Sequence, residues 1–180
     1  NGQIVTDKQM KTSVPNIFAA GDITEGTQLS DKAQRQGLLI AETIAGNDYW
    51  INYDAIPGTL FMEPEIAMVG LTVADAEARG IEVISGSLPF SSNEKAIALG
   101  KTEGIMKVVA RKADHVIIGA QIFGPEACDL IAEYTVAVEN GLTLEQVYNS
   151  MHPHPTLTEM ILETCKRAVA SESICSVTIA

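Results

Sequence analysis

The apolar positions in the middle of the chain fall into short runs that are typical of β-strands. Three of these runs are rich in Val and Ile, at residues 82–90, 105–112 and 115–123. A tight Ala113-Asp114 turn separates the last two, so we expect them to pair as a hairpin. Two shorter apolar runs precede them, at residues 59–62 and 66–71. The pattern therefore predicts an antiparallel sheet.

The N-terminal part has the pattern of a strand, a turn and a helix. Residues 17–22 are predicted to form a short buried strand that ends in a Gly-Asp turn. After a loop, we expect Ser30 or Asp31 to cap a helix that stops at Gly46. Proteins of the α/β class use this shape to hold anionic or electron-rich cofactor groups. The same unit is also common in α/β folds without any ligand, so both interpretations stay open.

Three further helices are predicted. Residues 72–80 carry an N-cap threonine and a C-terminal glycine. Residues 127–140, closed by Gly141, are apolar on nearly all sides, so this helix should be buried. A Thr143–Gln146 capping box opens the third helix. The order of strands followed by helices indicates an α+β fold, with an antiparallel sheet covered by helices on one side.

A polar and aromatic stretch at residues 47–54 separates the N-terminal unit from the sheet. It leads into Pro57-Gly58, a dipeptide typical of turns and connections between domains. We therefore place a domain boundary near residue 52, which divides the chain into residues 1–51 and 52–180.

Two of the three histidines, His152 and His154, each precede a proline near the C-terminus. Proline disfavours the α region for the residue before it, so both should lie on extended backbone. A helix follows, with Glu159 in its first turn. Residues 156–159 fit a capping box in which Glu159 bonds only to backbone. Glu159 could instead pair with an imidazole, or the two histidines could bind a metal, although zinc prefers three or four ligands.

Composition limits the function further. The chain has 180 residues, of which 46% are apolar, and a formal net charge of -11, which argues against binding to nucleic acid or to anionic membranes. It shows neither a membrane-spanning apolar run nor a signal-peptide pattern. Cys128, Cys165 and Cys175 are too few and too unevenly spaced for a disulfide framework. We therefore expect a reducing, cytoplasmic location.

Four motifs run through the chain in a fixed order. They are TSVPNIFAAGD at residues 12–22, FMEPEIAMVGL at 61–71, GAQIFGPEA at 119–127 and HPTLTE at 154–159. The first resembles the second FAD-binding motif of the pyridine nucleotide-disulfide oxidoreductases. The next two resemble landmarks of that family's C-terminal dimerisation domain, and the last is similar to its catalytic His-Pro-Thr-x-x-Glu motif. A histidine two residues before this motif, with Leu after the Thr, most resembles the dihydrolipoamide dehydrogenases of the family.

The resemblance implies that the chain is the C-terminal part of such an enzyme. Residues 1–51 would be a strand–turn–helix remnant of an FAD-binding α/β domain, and residues 52–180 the dimerisation, or interface, domain. The family's G-x-G-x-x-G motif and its C-x-x-x-x-C redox pair do not occur in this sequence. We therefore expect the chain alone to be inactive and to bind FAD poorly, with NAD bound only by the full-length enzyme.

The resemblance places five residues at the FAD: Gly21, Asp22, Leu29, Ser30 and Asp31. Asp22 would accept a hydrogen bond from the ribityl chain. The backbone N–H groups near Ser30 and Asp31 would lie by the pyrimidine end of the flavin. Lipoamide-type relatives often have a histidine where Asp31 stands, and a carboxylate there would oppose an anionic flavin unless it turns to solvent.

The resemblance also assigns His154 as the acid/base that takes a proton from the dithiol, with Glu159 orienting it. In the family this pair serves the flavin of the other subunit, which implies an obligate homodimer. The helix near residues 127–140 and the sheet would contribute to the interface. Pro153 replaces the small residue usual between the two histidines, and the His154–Pro155 peptide is often cis in relatives. A lipoyl domain of a 2-oxo acid dehydrogenase complex is a further implied partner.

Other functions stay open. The chain could be a stand-alone, non-catalytic dimerisation module that binds no FAD. It could belong to a glutathione-reductase-like or mercuric-reductase-like enzyme of the same family. It could also be a small metal-binding protein that uses His152 and His154, with His115 or Cys165 as a further ligand.

Overall fold

A computed structural model describes the backbone of residues 2–177 and the side chains of residues 2–172. The side chain of Cys175 lies outside this range. Contacts divide the chain into two compact units, Asn1–Ile56 and Pro57–Ala180. The domain boundary near residue 52 stays a prediction.

The second unit contains a five-stranded antiparallel sheet with the order β1-β2-β5-β4-β3. The strands are β1 (Gly58–Leu60), β2 (Glu65–Gly70), β3 (Val83–Pro89), β4 (Ile105–Arg111) and β5 (Ile117–Gly124). The expected hairpin of β4 and β5 is confirmed, with Val108 opposite Ala120. The predicted α+β class and antiparallel sheet are therefore correct.

Six α-helices complete the described structure. They are α1 (Ser30–Ala45), α2 (Val73–Ala78), α3 (Glu94–Leu99), α4 (Ala127–Asn140), α5 (Leu144–Tyr148) and α6 (Glu159–Val177). A reciprocal capping box opens α5 at Thr143, as expected, and the predicted N-cap Thr72 of α2 also forms such a box. Helix α4 has the predicted bounds and ends at Gly141 in a left-handed conformation. None of these helices is long and apolar enough to cross a membrane.

Helices cover one face of the sheet. Helix α4 packs on β2 and β5, and α6 packs on β3 and β4. The covered face carries a fully buried core, which includes Ala67, Met106, Val108, Ala120 and Ile122. At Gly86 of β3 a Cβ atom would lie 2.3 Å from Thr164 O and 2.4 Å from Ala168 N. Only glycine therefore lets the backbone of α6 lie this close to the sheet.

The opposite face of the sheet is open and partly apolar. Leu60 is 59% exposed, Met68 48% and Ile105 46%. The strand register places all three on this face, because side chains alternate along a strand. Val136 of α4 is also exposed, so the expectation that α4 is buried on nearly all sides is wrong on that side.

The first unit is irregular before α1. The predicted strand at residues 17–22 does not form: Phe18 makes an isolated bridge with Lys11, and Gly21–Ile23 form a 3-10 turn. The backbone of a strand must be hydrogen-bonded to a neighbouring strand along its length. Within residues 2–56, the bridge between Phe18 and Lys11 is the only strand-like pairing that residues 17–22 make. Helix α1 ends at Gly46 as predicted, but its N-cap is Leu29, which makes no side-chain capping bond. The expectation that Ser30 or Asp31 is the cap is therefore wrong.

Candidate functional site

The histidine segment at residues 149–158 joins α5 to α6 without helix or strand. At its far end the Asn93 side chain, which precedes α3, donates from Nδ2 to Thr156 O at 3.1 Å. The His154–Pro155 peptide is cis. The hydrogen bond from Asn93 therefore anchors the stretch of chain that presents His154 at the N-terminus of α6.

His154 and Glu159 form a hydrogen-bonded pair. The ring Nδ1 of His154 lies 2.9 Å from Oε1 of Glu159, and the other carboxylate oxygen accepts from Thr156 N at 2.9 Å. The Thr156 hydroxyl donates to Pro153 O at 2.6 Å. The capping contact to Thr156 and the pair with His154 therefore coexist, because each uses a different oxygen of Glu159.

The pair shifts both pKa values toward its charged form. The carboxylate of Glu159 raises the pKa of His154 above its ordinary 6.5, first as a hydrogen-bond acceptor and then through its charge. The Thr156 N–H and then His154 lower the pKa of Glu159 below 4.5. Any stability from charged His154 is therefore present below pH 6.5 and is lost as pH rises through the raised pKa. Any stability from ionised Glu159 is present above pH 4.5 and is lost as pH falls through the lowered pKa of Glu159.

The second ring nitrogen of His154 is available for proton transfer. The side chain is 64% exposed, and Nε2 lies 3.7 Å from Oε2 of Glu94 in the first turn of α3. Because Nδ1 donates to Glu159, Nε2 is the atom that can take a proton from a partner in solution or on a substrate. Sequence reasoning missed Glu94, which stands 60 residues upstream of His154 and in no recognised motif.

The three histidines do not form a metal centre. His152 pairs with Glu133, and His115 lies between Glu145 and Glu172. Among the side chains of residues 2–172, there is no group of three His, Cys, Asp or Glu residues that could hold a metal ion. The described residues therefore give the metal-binding alternative no support.

The cysteines with described side chains are poor nucleophiles. Burial raises the pKa of the Cys128 thiol to about 11 and that of Cys165 to about 12. Both are free thiols. Since only the thiolate attacks a disulfide, neither is suited to redox exchange at neutral pH.

A buried glutamine holds the Gly21-Asp22 turn of the first unit. Oε1 of Gln36 accepts from Gly21 N at 2.8 Å and from the Thr24 hydroxyl at 3.2 Å. Gly21 has φ of 81°, and a Cβ there would lie 3.3 Å from the Cβ of Ala33. The turn is thus fixed against α1, with the Asp22 side chain exposed.

The N-terminus of α1 follows this turn. Leu29 is the N-cap, while Ser30 and Asp31 are exposed in the first turn. Lys32 is fully buried, and its Nζ donates to Glu25 O at 3.0 Å, which fixes the loop before the helix. An exposed carboxylate beside free helix N–H groups suits a ligand that carries hydroxyls and an electron-rich edge. Sequence reasoning identified the Gly-Asp turn, but not Leu29 as the N-cap of α1, nor Gln36 or Lys32.

Comparisons with known proteins agree with this architecture. The family model for the pyridine nucleotide-disulphide oxidoreductase dimerisation domain matches residues 56–165, and the model for pyridine nucleotide-disulphide oxidoreductase matches residues 1–37. The chain is 45% identical to dihydrolipoyl dehydrogenase of Bacillus subtilis over 170 residues and 47% identical to that of Geobacillus stearothermophilus. Each match covers 94% of this chain and 36% of the relative, so the chain spans about a third of these relatives' length.

Solved structures show the same fold. LpdA from Mycobacterium tuberculosis superposes with a TM-score of 0.86 at 28% identity, over 92% of this chain and 36% of that one. The HOCl-induced flavoprotein disulfide reductase RclA from Escherichia coli gives a TM-score of 0.82 at 23% identity, over 92% and 38% of the two chains. With a dimerisation-domain match over more than half of its length, the chain belongs to the pyridine nucleotide-disulphide oxidoreductase family.

Proposed function

We propose that the chain is the C-terminal part of an FAD- and NAD-dependent dihydrolipoyl dehydrogenase, which oxidises a dithiol to a disulfide. The observation that carries this proposal is the His154–Glu159 pair, with Nδ1 bound at 2.9 Å and Nε2 facing outward. The names of the relatives with 45% and 47% identity support the dithiol as substrate class. The most direct source of such a dithiol is a lipoyl group on a 2-oxo acid dehydrogenase complex.

His154 acts as the acid/base in this proposal. Oxidation of a dithiol to a disulfide releases two electrons and two protons, and NAD⁺ takes up the electrons together with one proton as hydride. Nε2 of His154 accepts a thiol proton, while Glu159 holds Nδ1 and stabilises the imidazolium that forms. The exposed position of His154 fits a substrate that arrives from outside the chain.

The first unit would hold part of the FAD. The Asp22 carboxylate would accept a hydrogen bond from a cofactor hydroxyl, with Gly21 shaping the turn that carries it. Leu29, Ser30 and Asp31 would place the N-terminus of α1 at the electron-rich edge of the ring. The exposed side chain of Asp31 can turn to solvent, which limits its repulsion of a negative ring. When bound, the flavin supplies the electron transfer between dithiol and NAD⁺.

We also propose that the protein works as a homodimer, in which this His–Glu pair serves the site of the partner subunit. The dimerisation-domain match, the open apolar sheet face and the exposed Val136 support this. A cytoplasmic location is part of the same proposal and rests on the cysteine pattern of the sequence.

The test is His154→Gln in the full-length protein. Glutamine cannot exchange a proton at neutral pH, so we expect kcat for dithiol oxidation to fall by roughly 10²- to 10⁴-fold. The matched control is His115→Gln, which removes another histidine bonded to glutamate in the same unit. Bound flavin, measured by absorbance, should be unchanged in both variants. Activity of His154→Gln within threefold of the parent would refute the role.

A further inference from the structure

His152, two residues before His154, is bonded at both ring nitrogens. Nδ1 lies 3.0 Å from Ser150 O, and Nε2 lies 2.8 Å from Oε1 of Glu133. A backbone carbonyl and a carboxylate only accept hydrogen bonds, so a ring nitrogen of His152 that carries a proton donates it to its partner. The His152 side chain is only 6% exposed, compared with 64% for His154. The buried imidazole of His152 is therefore hydrogen-bonded to a carboxylate that is 38% exposed, and this contact joins the histidine segment to α4.

The two hydrogen bonds of His152 anchor one side of the segment that carries His154. On the other side, Asn93 donates to Thr156 O at 3.1 Å. The residues between these two anchors include two prolines, whose ring fixes φ and leaves the backbone few ways to adjust. A displacement of His152 is therefore passed on to His154 rather than absorbed in between.

His152 also acts on Glu159 through its charge. The pKa of Glu159 is lowered by the Thr156 N–H and by His154, and the positive charge of His152 adds to this effect. His152 thus favours the ionised carboxylate that holds Nδ1 of His154. His152 therefore affects both the backbone position of His154 and the charge of Glu159, and both effects act on Nδ1 of His154.

We propose that the hydrogen-bonded His152–Glu133 pair is a positioning device for His154, which fixes the point at which Nε2 of His154 meets the dithiol. The proposal rests on the proposed function of His154. His152 itself contacts neither substrate nor cofactor in this arrangement, since both its nitrogens are engaged by protein groups.

The first test compares His152→Gln with His115→Gln in the full-length enzyme. His115 is a matched control because its nitrogens are also bonded, to Glu145 at 2.5 Å and Glu172 at 3.0 Å. A misplaced catalytic group costs about 10- to 100-fold, so kcat of His152→Gln should fall by that factor. The midpoint of its pH profile for kcat/KM should move to lower pH, because His154 loses its contact with Glu159. His115→Gln should keep rate and midpoint within about twofold and 0.2 pH units.

The second test separates geometry from fold stability. In Glu133→Gln the amide can still bond to Nε2 of His152, so the loss should be only about two- to threefold. Glu133→Leu removes the partner and should match His152→Gln. The positioning role alone would be overturned if His152→Gln and Glu133→Leu both kept the parental kcat and the parental pH profile while His154→Gln was inactive. A parental rate in His154→Gln would overturn the proposed function itself.

Discussion

At the scale of single residues, Glu159 shows why one motif supports two interpretations. Its side chain has two oxygens, and the structure uses one for the backbone of Thr156 and the other for His154. The sequence offers the capping box and the His–Glu pair as alternatives, because spacing cannot show which oxygen faces which partner.

This double contact predicts the effect of Glu159→Gln on pH dependence. The amide oxygen still accepts from Thr156, but the negative charge is gone. Since Glu159 raises the pKa of His154, the variant's pKa should fall toward 6.5, and the midpoint of kcat/KM against pH should move to lower pH. We expect the plateau rate to fall about tenfold, because the imidazolium is less stabilised.

The control for this change is Glu163→Gln, four residues further along the same helix. Glu163 pairs with Lys166 at 2.9 Å in an exposed position, so its loss should leave the profile in place. A pH-rate profile of the full-length enzyme measures both variants. An unmoved midpoint in Glu159→Gln would show that the pair does not set the protonation of His154.

Most of the residues that sequence reasoning missed have hydrogen-bond partners that are distant along the chain. Gln36 bonds to Gly21 over 15 residues, Glu133 to His152 over 19, and Asn93 to Thr156 over 63. Capping boxes and turns can be predicted because both partners lie within a few residues. Tertiary hydrogen bonds of this kind need the fold first.

At the scale of elements, local signals located most helices and strands. Helix α4 and its terminal Gly141 were predicted to the residue, and the β4–β5 hairpin followed from one short turn. Helix α3 was not predicted, although Asn93 caps it through a 2.9 Å bond from Ala96 N. The strand predicted at residues 17–22 does not form within the described structure. Its composition suits a sheet, but no neighbouring strand runs along its length there.

The close approach of α6 to β3 predicts that Gly86→Ala is destabilising. The new methyl group would meet the backbone of α6, which cannot move aside like a side chain. We expect a loss of about 1–3 kcal/mol in the free energy of unfolding. The matched control is Gly58→Ala in β1, where the Cβ would lie 3.5 Å from Met68 Cγ, an ordinary contact. Thermal unfolding of both variants measures this difference. Equal melting temperatures would contradict the close approach of α6 to Gly86.

At the scale of the whole molecule, the chain matches only 36% of the length of its relatives, yet its second unit has a complete core. We therefore expect the purified chain to dimerise through residues 57–180 while binding FAD weakly, since it spans only about a third of the relatives' length. Light scattering and flavin absorbance after desalting would measure both. A monomer, or a protein that stays yellow, would count against this.

Exposed apolar residues allow the dimer surface to be mapped. Val136→Glu on α4 or Met68→Glu on the open sheet face would place a carboxylate in the contact, and the dissociation constant should rise at least about tenfold. Val14→Glu is the control, because Val14 is 51% exposed and belongs to the first unit, outside the residues through which we expect the dimer to form. If neither Val136→Glu nor Met68→Glu weakens the dimer, the proposed interface is wrong.

The raised thiol pKa values of Cys128 and Cys165 have a chemical consequence for a protein that handles disulfides. A free thiolate near a disulfide attacks it and forms a mixed disulfide. Burial keeps these two sulfurs protonated at neutral pH, so they do not react with the disulfide that the protein is proposed to form. Thiol–disulfide exchange is thereby left to cysteines whose surroundings favour the thiolate.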